Sequence, residues 1–269
     1  MTDFLQQMAD LSKQRAEQAP RSFAAKQLDK PVHPLKLTSF DIIAEIKDRS
    51  PSEGRLAAAT RSRTQQAQDY VQGGAAAISV LTEPSRFAGD LSHLEEVSDV
   101  AGASEIPTMR KDFLVDPSQI LEARAAGASG VLLIAAMLSD KALNTMLDCA
   151  WEHSLFVLLE SFNAEDLHRT AKILGSNRGL QQAEQARFLA GVNTRDLRTL
   201  EVDPERLKTL ATSLPANAIS VAESGLHNAA HAKSAATLGY GMALVGTAFM
   251  RSDEPQKLLS EMLAAGRGA

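Results

Sequence analysis

The sequence predicts an α/β protein, a single (β/α)8 barrel of the TIM-barrel type with an N-terminal helical extension. Eight short apolar runs rich in β-branched residues recur along the 269-residue chain. Segments with the apolar spacing of helices separate these runs, which is the pattern of parallel strands covered by helices on the outside. The length also fits, because such a barrel typically needs about 250 residues.

The eight apolar runs are the predicted strands. They lie at residues 41–47, 75–82, 106–113, 130–137, 155–161, 187–193, 218–224 and 241–246. Helices are predicted between them, for example at 119–127, 140–151 and 226–238, and several of these end near a glycine, as helices often do. The polar segment 175–185 is predicted to be a solvated loop before the sixth strand.

The first 40 residues are a predicted extension, and residues 41–269 are the predicted barrel domain. Phe4, Leu5, Met8 and Leu11 have helical spacing, and prolines then interrupt the approach to the first strand. Two interpretations remain open. The extension either packs on the bottom or side of the barrel, or part of it reaches the mouth of the active site.

Composition excludes several classes of function. The formal net charge is −5 and the basic residues are dispersed, so no nucleic-acid footprint is expected. No apolar run approaches the ~20 residues of a membrane-spanning helix, and the N-terminus lacks the pattern of a secretory signal. The single Cys149 excludes an intrachain disulfide and favours a reducing compartment, so the cytoplasm is the expected compartment by default. The sequence does not give the oligomeric state, and a monomer is one possibility.

Polar side chains close most of the predicted strands, at the end of a barrel where catalytic residues lie. On the first strand, period-two alternation places Glu45 and Lys47 on one face. A single charge at a strand end often just returns to solvent, but acids, bases and an amide converging on one cavity are what acid–base chemistry needs. The set is Glu45, Lys47, Lys111, Glu160, Asn193, Arg195 and Glu223.

A phosphate site is predicted after the last two strands. Ser224 and Gly225 follow the seventh strand, and Gly246 and Thr247 follow the eighth. Each pair joins a glycine, where backbone N–H groups approach a ligand, to a hydroxyl donor. Barrels often bind phosphate in these two loops.

The motifs at the strand ends resemble those of the indole-3-glycerol phosphate synthase family. They are IAEIK at 43–47, SPSEG at 50–54, SVLT at 79–82, RKDF at 110–113, LLI at 132–134, GVNTRDL at 191–197, AESG at 222–225 and LVG at 244–246. The match covers roughly residues 21–250 and keeps the family order. It implies a phosphorylated substrate, 1-(2-carboxyphenylamino)-1-deoxyribulose 5-phosphate, and closure of an indole ring with loss of CO2 and water.

The resemblance also implies a role for each residue. Lys111 matches the acid that protonates the ketone, Glu160 matches the general base, and Lys47 serves as an acid or a charge partner. Glu45 and Glu223 match the acids that position the two lysines, while Arg195 and Asn193 match residues that hold the carboxylate and hydroxyls of the substrate. Ser50 is expected to contact the substrate. Neither a metal nor an organic cofactor is expected, because the reaction involves no redox change.

The aromatic ring of the substrate needs an apolar slot, for which Phe87, Phe113 and Leu133 are the candidates, with the segment around Phe23 closing over them. The sequence departs from the family pattern at Glu53, Arg86, Ser118 and Phe162, which could alter substrate preference. His227 and His231, four residues apart on a predicted helix, are interpreted as a solvated face instead of a metal site.

Two other functions remain as alternatives. The first is another phosphosugar barrel, such as a phosphoribosylanthranilate isomerase, which would need a cysteine and an aspartate at strand ends, whereas Cys149 lies on a predicted helix. The second is a non-catalytic relative that binds phosphorylated ligands. The presence of Lys47, Lys111 and Glu160 together argues against it.

Overall fold

Eight parallel strands close into a barrel, as the sequence predicts. The computed structural model describes residues 4–20, 22–50, 54–55, 61–197 and 199–269. The strands follow one another around the barrel in chain order, and the last pairs with the first. They are β1 (Asp41–Ile46), β2 (Ala77–Leu81), β3 (Thr108–Lys111), β4 (Gly130–Ile134), β5 (Phe156–Ser161), β6 (Phe188–Asn193), β7 (Ile219–Glu223) and β8 (Met242–Val245). A two-residue antiparallel pairing, Arg49–Ser50 with Gly54–Arg55, follows β1.

Helices connect the strands and cover the outside of the barrel. They are α1 (Phe4–Gln18), α2 (Arg63–Gly73), α3 (Pro84–Phe87), α4 (Leu91–Gly102), α5 (Pro117–Ala125), α6 (Asp140–Glu152), α7 (Ala164–Leu174), α8 (Asn177–Glu184), α9 (Arg206–Leu210), α10 (Ala229–Thr237), α11 (Thr247–Arg251) and α12 (Pro255–Arg267), with 3-10 turns at Ala25–Leu28, Ala135–Met137 and Ala211–Ser213. None of the described helices is long and apolar enough to cross a membrane.

The segment 175–185 is a helix and not the predicted loop. Ser176 caps the start of α8 by accepting a hydrogen bond from the backbone N–H of Gly179 at 3.0 Å. Residues with good helix propensity, mainly glutamine, alanine and glutamate, then continue the helix. The prediction was wrong because the segment is mainly polar and buries only Gly179 and Ala183, so its composition resembles that of a solvated loop.

Alternation along the strands sorts the core into two layers. Residues of one face fill the interior of the barrel, for example Ile43 on β1 and Met109 on β3. Residues of the other face pack against the helices, for example Ile42 on β1 and Val131 on β4. The polar residues at the carboxyl ends of the strands therefore continue the inward face into one cavity.

The N-terminal extension contacts both ends of the barrel, and its helix α1 lies at the mouth. Leu5 and Met8 of α1 are buried in the same cluster as the inward-facing side chains. The backbone of His33 lies at the opposite end, where its N–H donates to the Oγ of Ser129 just before β4. The extension thus places α1 beside the carboxyl ends of the strands and then passes the amino-terminal end before β1 begins.

Candidate active site

A cavity at the carboxyl ends of the strands brings most of the predicted site residues together. Thirteen of the fifteen line it, the exceptions being Glu223 and Leu133. The thirteen are Glu45, Lys47, Ser50, Phe87, Lys111, Phe113, Glu160, Asn193, Arg195, Ser224, Gly225, Gly246 and Thr247. Residues from seven of the eight strands or the loops that follow them thus share one space with acids, bases and hydroxyls.

Lys111 is at the centre of this cavity, between two buried carboxyl groups. Its Nζ lies 3.4 Å from Glu160 Oε2 and 3.5 Å from Glu223 Oε2. Both glutamates are at most 1% exposed, whereas the lysine side chain is 15% exposed. Glu223 therefore belongs to the site through Lys111, although it does not itself line the cavity. Lys111 and Glu160 both line the cavity, and the lysine is the more exposed of the two.

Burial and neighbouring charges change the pKa values of Lys111 and Glu223. Burial lowers the pKa of Lys111, but the carboxylates of Glu160, Glu223 and Glu45 outweigh it and raise the pKa above its ordinary value. Burial raises the pKa of Glu223 well above its ordinary range, and Glu160 raises it further, while Lys111 opposes both. Lys111 is accordingly a charged ammonium at neutral pH, able to give a proton to a ligand.

A second lysine–glutamate pair faces the first. Lys47 Nζ lies 2.5 Å from Glu45 Oε1, with side chains 15% and 4% exposed. Gly246 on the neighbouring strand end makes room for this pair, because a Cβ there would collide with Glu45 Oε1. Gly191 on β6 makes room for Glu223 Oε1 in the same way. Glycine is thus required at Gly246 to accommodate a carboxylate, a role that the sequence analysis did not anticipate.

Asp112 is a further buried acid, next to Lys111 in the chain, that joins the site to α1. The guanidinium of Arg15 donates to both carboxylate oxygens, at 2.9 and 2.7 Å. Arg110 and the hydroxyl of Thr82 also donate to it, at 3.2 and 2.7 Å. Burial raises the pKa of Asp112, but Arg15 and Arg110 together lower it to about 2. Asp112 is therefore ionised, and it fixes α1 to the end of β3.

The rings of Phe87 and Phe113 line the cavity, and a third ring, Phe4, packs against Phe113. Phe113 lies between the rings of Phe4 and Phe87, with centroid separations of 6.0 and 6.1 Å. Phe4 belongs to α1, so the extension does close over the aromatic residues, but at Phe4 and not at the predicted Phe23. Phe23 is half-buried and is not among the side chains packed in this cluster.

The prediction that Leu133 faces the cavity was wrong, because its two neighbours on β4 face inward instead. Leu133 is fully buried in the outer layer between β4 and the helices. Its neighbours Leu132 and Ile134 face inward and line the cavity. Every residue of β4 is apolar, so alternation of polarity gives no sign of which face points inward.

The predicted phosphate residues lie together at one end of the cavity. Ser224 and Gly225 have φ values of 65° and 74°, so two successive residues adopt the left-handed conformation after β7. Gly246 immediately precedes α11, and Thr247 is the first residue of this helix. Two loops, each with a glycine and a hydroxyl side chain, thus meet at one place.

Asn193 and Arg195 at the end of β6 are held by contacts within the chain. The Oδ1 of Asn193 accepts from the backbone N–H of Arg195 at 2.9 Å. The guanidinium of Arg195 donates to the carbonyl of Leu200 at 3.0 Å. The loop that contains Leu200 and Val202 borders the cavity. The sequence analysis did not predict this loop, because its distinguishing feature, a positive φ of 66° at Leu200, is visible only in the structure.

The departures from the family pattern lie mostly away from the cavity. Arg86 is exposed on α3, Ser118 is buried with its hydroxyl on Asp116 Oδ1 at 2.7 Å, and Phe162 is buried in the inner cluster. Glu53 lies outside the described residues.

His227 and His231 are exposed, with ring centroids 5.8 Å apart. The described part of the chain contains no group of three or more His, Cys, Asp or Glu that could hold a metal ion.

A closed barrel whose strand ends bring lysines and carboxylates into one cavity defines an acid–base enzyme of the (β/α)8 class. A family model described as indole-3-glycerol phosphate synthase matches residues 4–262. The chain belongs to this family and is a carboxy-lyase of tryptophan biosynthesis that acts on a phosphorylated small molecule.

Curated relatives agree with this assignment, and a solved structure shares the fold. The indole-3-glycerol phosphate synthase of Koribacter versatilis is 37% identical over 254 residues, which cover 94% of this chain and 90% of that protein. The enzyme of the same name from Micrococcus luteus is 41% identical over 224 residues, covering 83% and 78%. The crystal structure of tryptophan synthase subunit alpha from Legionella pneumophila covers 100% of both chains with a TM-score of 0.58 and 15% identity, a likeness of fold alone.

A titration of stability tests the raised pKa of Glu223. A carboxyl whose pKa is higher in the folded than in the unfolded chain makes the folded state bind more protons, so stability falls as the pH rises above the ordinary value of 4.5. We expect Glu223→Gln to flatten the decline of Tm with pH above about pH 4.5. The exposed Glu261→Gln is the matched control, and equal slopes for both variants would contradict the assignment.

Proposed function

We propose that this enzyme converts 1-(2-carboxyphenylamino)-1-deoxyribulose 5-phosphate into indole-3-glycerol phosphate, with Lys111 as the acid of ring closure. The observation that carries the proposal is the position of Lys111 Nζ, between the buried carboxyls of Glu160 and Glu223 and in contact with the cavity. An ammonium held in this way, with 15% of its side chain exposed, is a positioned proton donor.

Ring closure forms a carbon–carbon bond between the aromatic carbon that bears the carboxylate and the ketone carbon. Lys111 gives a proton to the ketone oxygen, which makes the carbon electrophilic and leaves a hydroxyl. The electron pair for the bond comes from the ring and the attached nitrogen, which becomes iminium-like. The carboxylates around Lys111 stabilise the ammonium, and their negative charge therefore opposes loss of its proton. The proton moves when the ketone oxygen develops negative charge during bond formation and becomes basic enough to accept it.

Decarboxylation and dehydration complete the indole. Loss of CO2 returns the electron pair of the broken bond to the ring system, with the iminium-like nitrogen as the electron sink. The new hydroxyl then departs as water, which requires a base to remove a proton and an acid to protonate the leaving oxygen. Glu160 serves as the base and Lys47 as the acid or charge partner, with Glu45 and Glu223 positioning the two lysines.

Substrate binding uses the remaining residues of the cavity. Arg195 and Asn193 hold the carboxylate and the ribulose hydroxyls, and Ser50 contacts the substrate. Phe87 and Phe113 bound the slot for the aromatic ring, with Leu132 and Ile134 in the place predicted for Leu133. The phosphate binds at the loops that contain Ser224, Gly225, Gly246 and Thr247.

The assignment carries further expectations. The reaction needs neither metal nor organic cofactor, because the substrate supplies its own electron sink. Residues 1–40 act as an extension of the barrel domain 41–269, and the enzyme is a cytoplasmic monomer with no nucleic-acid or membrane partner.

Cys149 argues against the isomerase alternative. It lies on α6, where its Sγ donates to the carbonyl of Pro117 at 3.8 Å. Burial raises the pKa of this thiol to about 11, so it is not a base at neutral pH.

The assay that tests the proposed function measures CO2 and indole-3-glycerol phosphate, which should form in equal amounts from the synthetic substrate. Consumption of phosphoribosylanthranilate instead would favour the isomerase.

The phosphate end is best tested at Ser224. Because a side chain at Gly246 would displace Glu45, Gly246→Val would disturb the Glu45–Lys47 pair as well as any phosphate. We expect Ser224→Ala to raise KM roughly tenfold and to weaken competition by inorganic phosphate, since a hydrogen bond to a charged group contributes about 1.5–3 kcal/mol.

Ser154→Ala is the matched control for this experiment. Ser154 also has a positive φ, 61°, but it precedes β5 at the other end of the barrel. Unchanged phosphate competition in Ser224→Ala would move the anion site elsewhere.

A further inference from the structure

Glu83 is a buried carboxylate that the proposed reaction does not use. It follows β2 and is 1% exposed. Its Oε1 accepts from the backbone N–H and the hydroxyl of Ser85, at 2.9 and 2.6 Å. Its Oε2 accepts from the backbone N–H groups of Arg86 and Phe87, at 2.7 and 3.2 Å. The carboxylate thus satisfies three successive N–H groups in the first turn of α3.

The turn that Glu83 caps ends at Phe87, a ring in the wall of the cavity. Ala88 follows in the left-handed conformation, with φ 55°. The N–H of Gly89 then returns to the carbonyl of Glu83 at 2.8 Å. Gly89 packs so closely on the backbone of Leu81 and Thr82 that a Cβ would not fit. The Glu83 side chain and the backbone hydrogen bond from Gly89 to Glu83 therefore hold the segment 83–89 in a compact turn and fix the position of Phe87.

We propose that Glu83 is a positioning residue for the aromatic ring of the substrate and that it acts through Phe87. This inference rests on the proposed function, which places the ring against Phe87 and Phe113. A four-residue helix has too few hydrogen bonds of its own to be stable. Its place at the cavity is therefore set by the cap, and the ring of Phe87 depends on the carboxylate.

The chemistry of the cap requires a carboxylate. Glutamate offers two acceptor oxygens, and both are used by donors. Glutamine is nearly the same size but offers one acceptor and one NH2 group, so its nitrogen would face N–H donors. Glu83→Gln thus loosens the turn without opening a cavity.

A second cap in the neighbouring helix provides a matched control. Asp90 caps α4, and its Oδ1 accepts from the N–H and the hydroxyl of Ser92 at 2.8 and 2.6 Å. Asp90 is exposed and does not line the cavity. Asp90→Asn therefore makes the same carboxylate-to-amide change in a helix cap that does not contact the substrate.

The experiment measures KM and kcat for wild type, Glu83→Gln, Phe87→Ala, the double variant and Asp90→Asn. We expect Glu83→Gln to raise KM about tenfold, which corresponds to about 1.4 kcal/mol, with kcat within about twofold, since the loss is one of uniform binding. Asp90→Asn should leave KM unchanged. Because Glu83 acts through Phe87, the double variant should match Phe87→Ala alone.

Three results would overturn the inference. They are an unchanged KM in a folded Glu83→Gln variant, effects of Glu83→Gln and Phe87→Ala that add, and an equal rise of KM in Asp90→Asn. If Glu83→Gln does not fold, Glu83→Asp replaces it, because it keeps the charge but shortens the reach to Phe87. Absence of turnover by wild type would contradict the proposed function itself, whereas normal turnover with one of the three results would remove only the role of Glu83.

Discussion

Replacement of Lys111 by alanine is expected to lower kcat by roughly 10²–10⁴-fold, the usual contribution of a positioned proton donor. The reason is that Lys111 Nζ is the proton donor nearest to two buried carboxyls and also lines the cavity. Steady-state turnover of the synthetic substrate measures the effect. The exposed Lys36→Ala, which removes a lysine paired with Glu105 on the surface, is the control and should be unaffected.

The stability of the Lys111 variant needs a separate measurement. From the sequence alone, truncation of a lysine at the mouth is expected to open no core cavity and to leave folding intact. The structure shows that Lys111 is also the cation beside two buried glutamates, so its loss leaves a buried negative charge, which is costly. We expect a lower Tm at neutral pH that recovers in mild acid, as Glu223 takes up a proton. Near-normal turnover in a folded variant would remove Lys111 from the mechanism.

Removal of residues 1–34 is expected to leave a folded barrel with much poorer substrate affinity. The deletion takes Phe4 away from Phe113 and Arg15 away from Asp112, so the end of β3 loses its packing and its charge partner. Arg15→Ala isolates the charge contact. We expect it to raise KM roughly tenfold, since small displacements of positioning groups have large effects on binding and rate.

The matched control for Arg15 is Arg178→Ala. Arg178 also forms a close ion pair, with Asp148 at 2.5 Å, but both side chains are nearly half exposed and the pair lies on the outside of the barrel. A truncated protein that keeps the wild-type KM would show that α1 is only a packing element. An Arg15→Ala variant with normal KM, together with an impaired truncation, would assign the effect to Phe4 and its apolar neighbours.

The sequence predicts the barrel and most of the site for a simple physical reason. Parallel strands of a barrel appear in the sequence as apolar runs, and the polar residues at their carboxyl ends point into one cavity. A residue such as Glu160 can therefore be predicted to lie in the site without coordinates. Lys47 and Glu45 are likewise separated by the two-residue period of one strand face. Such features depend only on positions close together in the chain.

The features that were missed depend on contacts between distant positions. The link between Arg15 and Asp112 spans 97 residues, and nothing in either local segment identifies the partner. Leu133 was misplaced because β4 is apolar on both faces, so only packing decides which face is inward. The role of Gly246 as space for the Glu45 carboxylate is a property of two neighbouring strands, and it appears only when their register is known.

One measurement tests the central claim most directly. Purified protein is given the synthetic carboxyphenylamino-deoxyribulose phosphate in the presence of EDTA, and indole fluorescence is followed. We expect turnover without added metal, because Lys111, Lys47 and Arg195 neutralise the carboxylates of the cavity and repel a divalent cation, and because protonation by Lys111 takes the place of a Lewis acid. Turnover only with added metal would contradict the mechanism, and a folded protein that binds the substrate without converting it would contradict the proposed function.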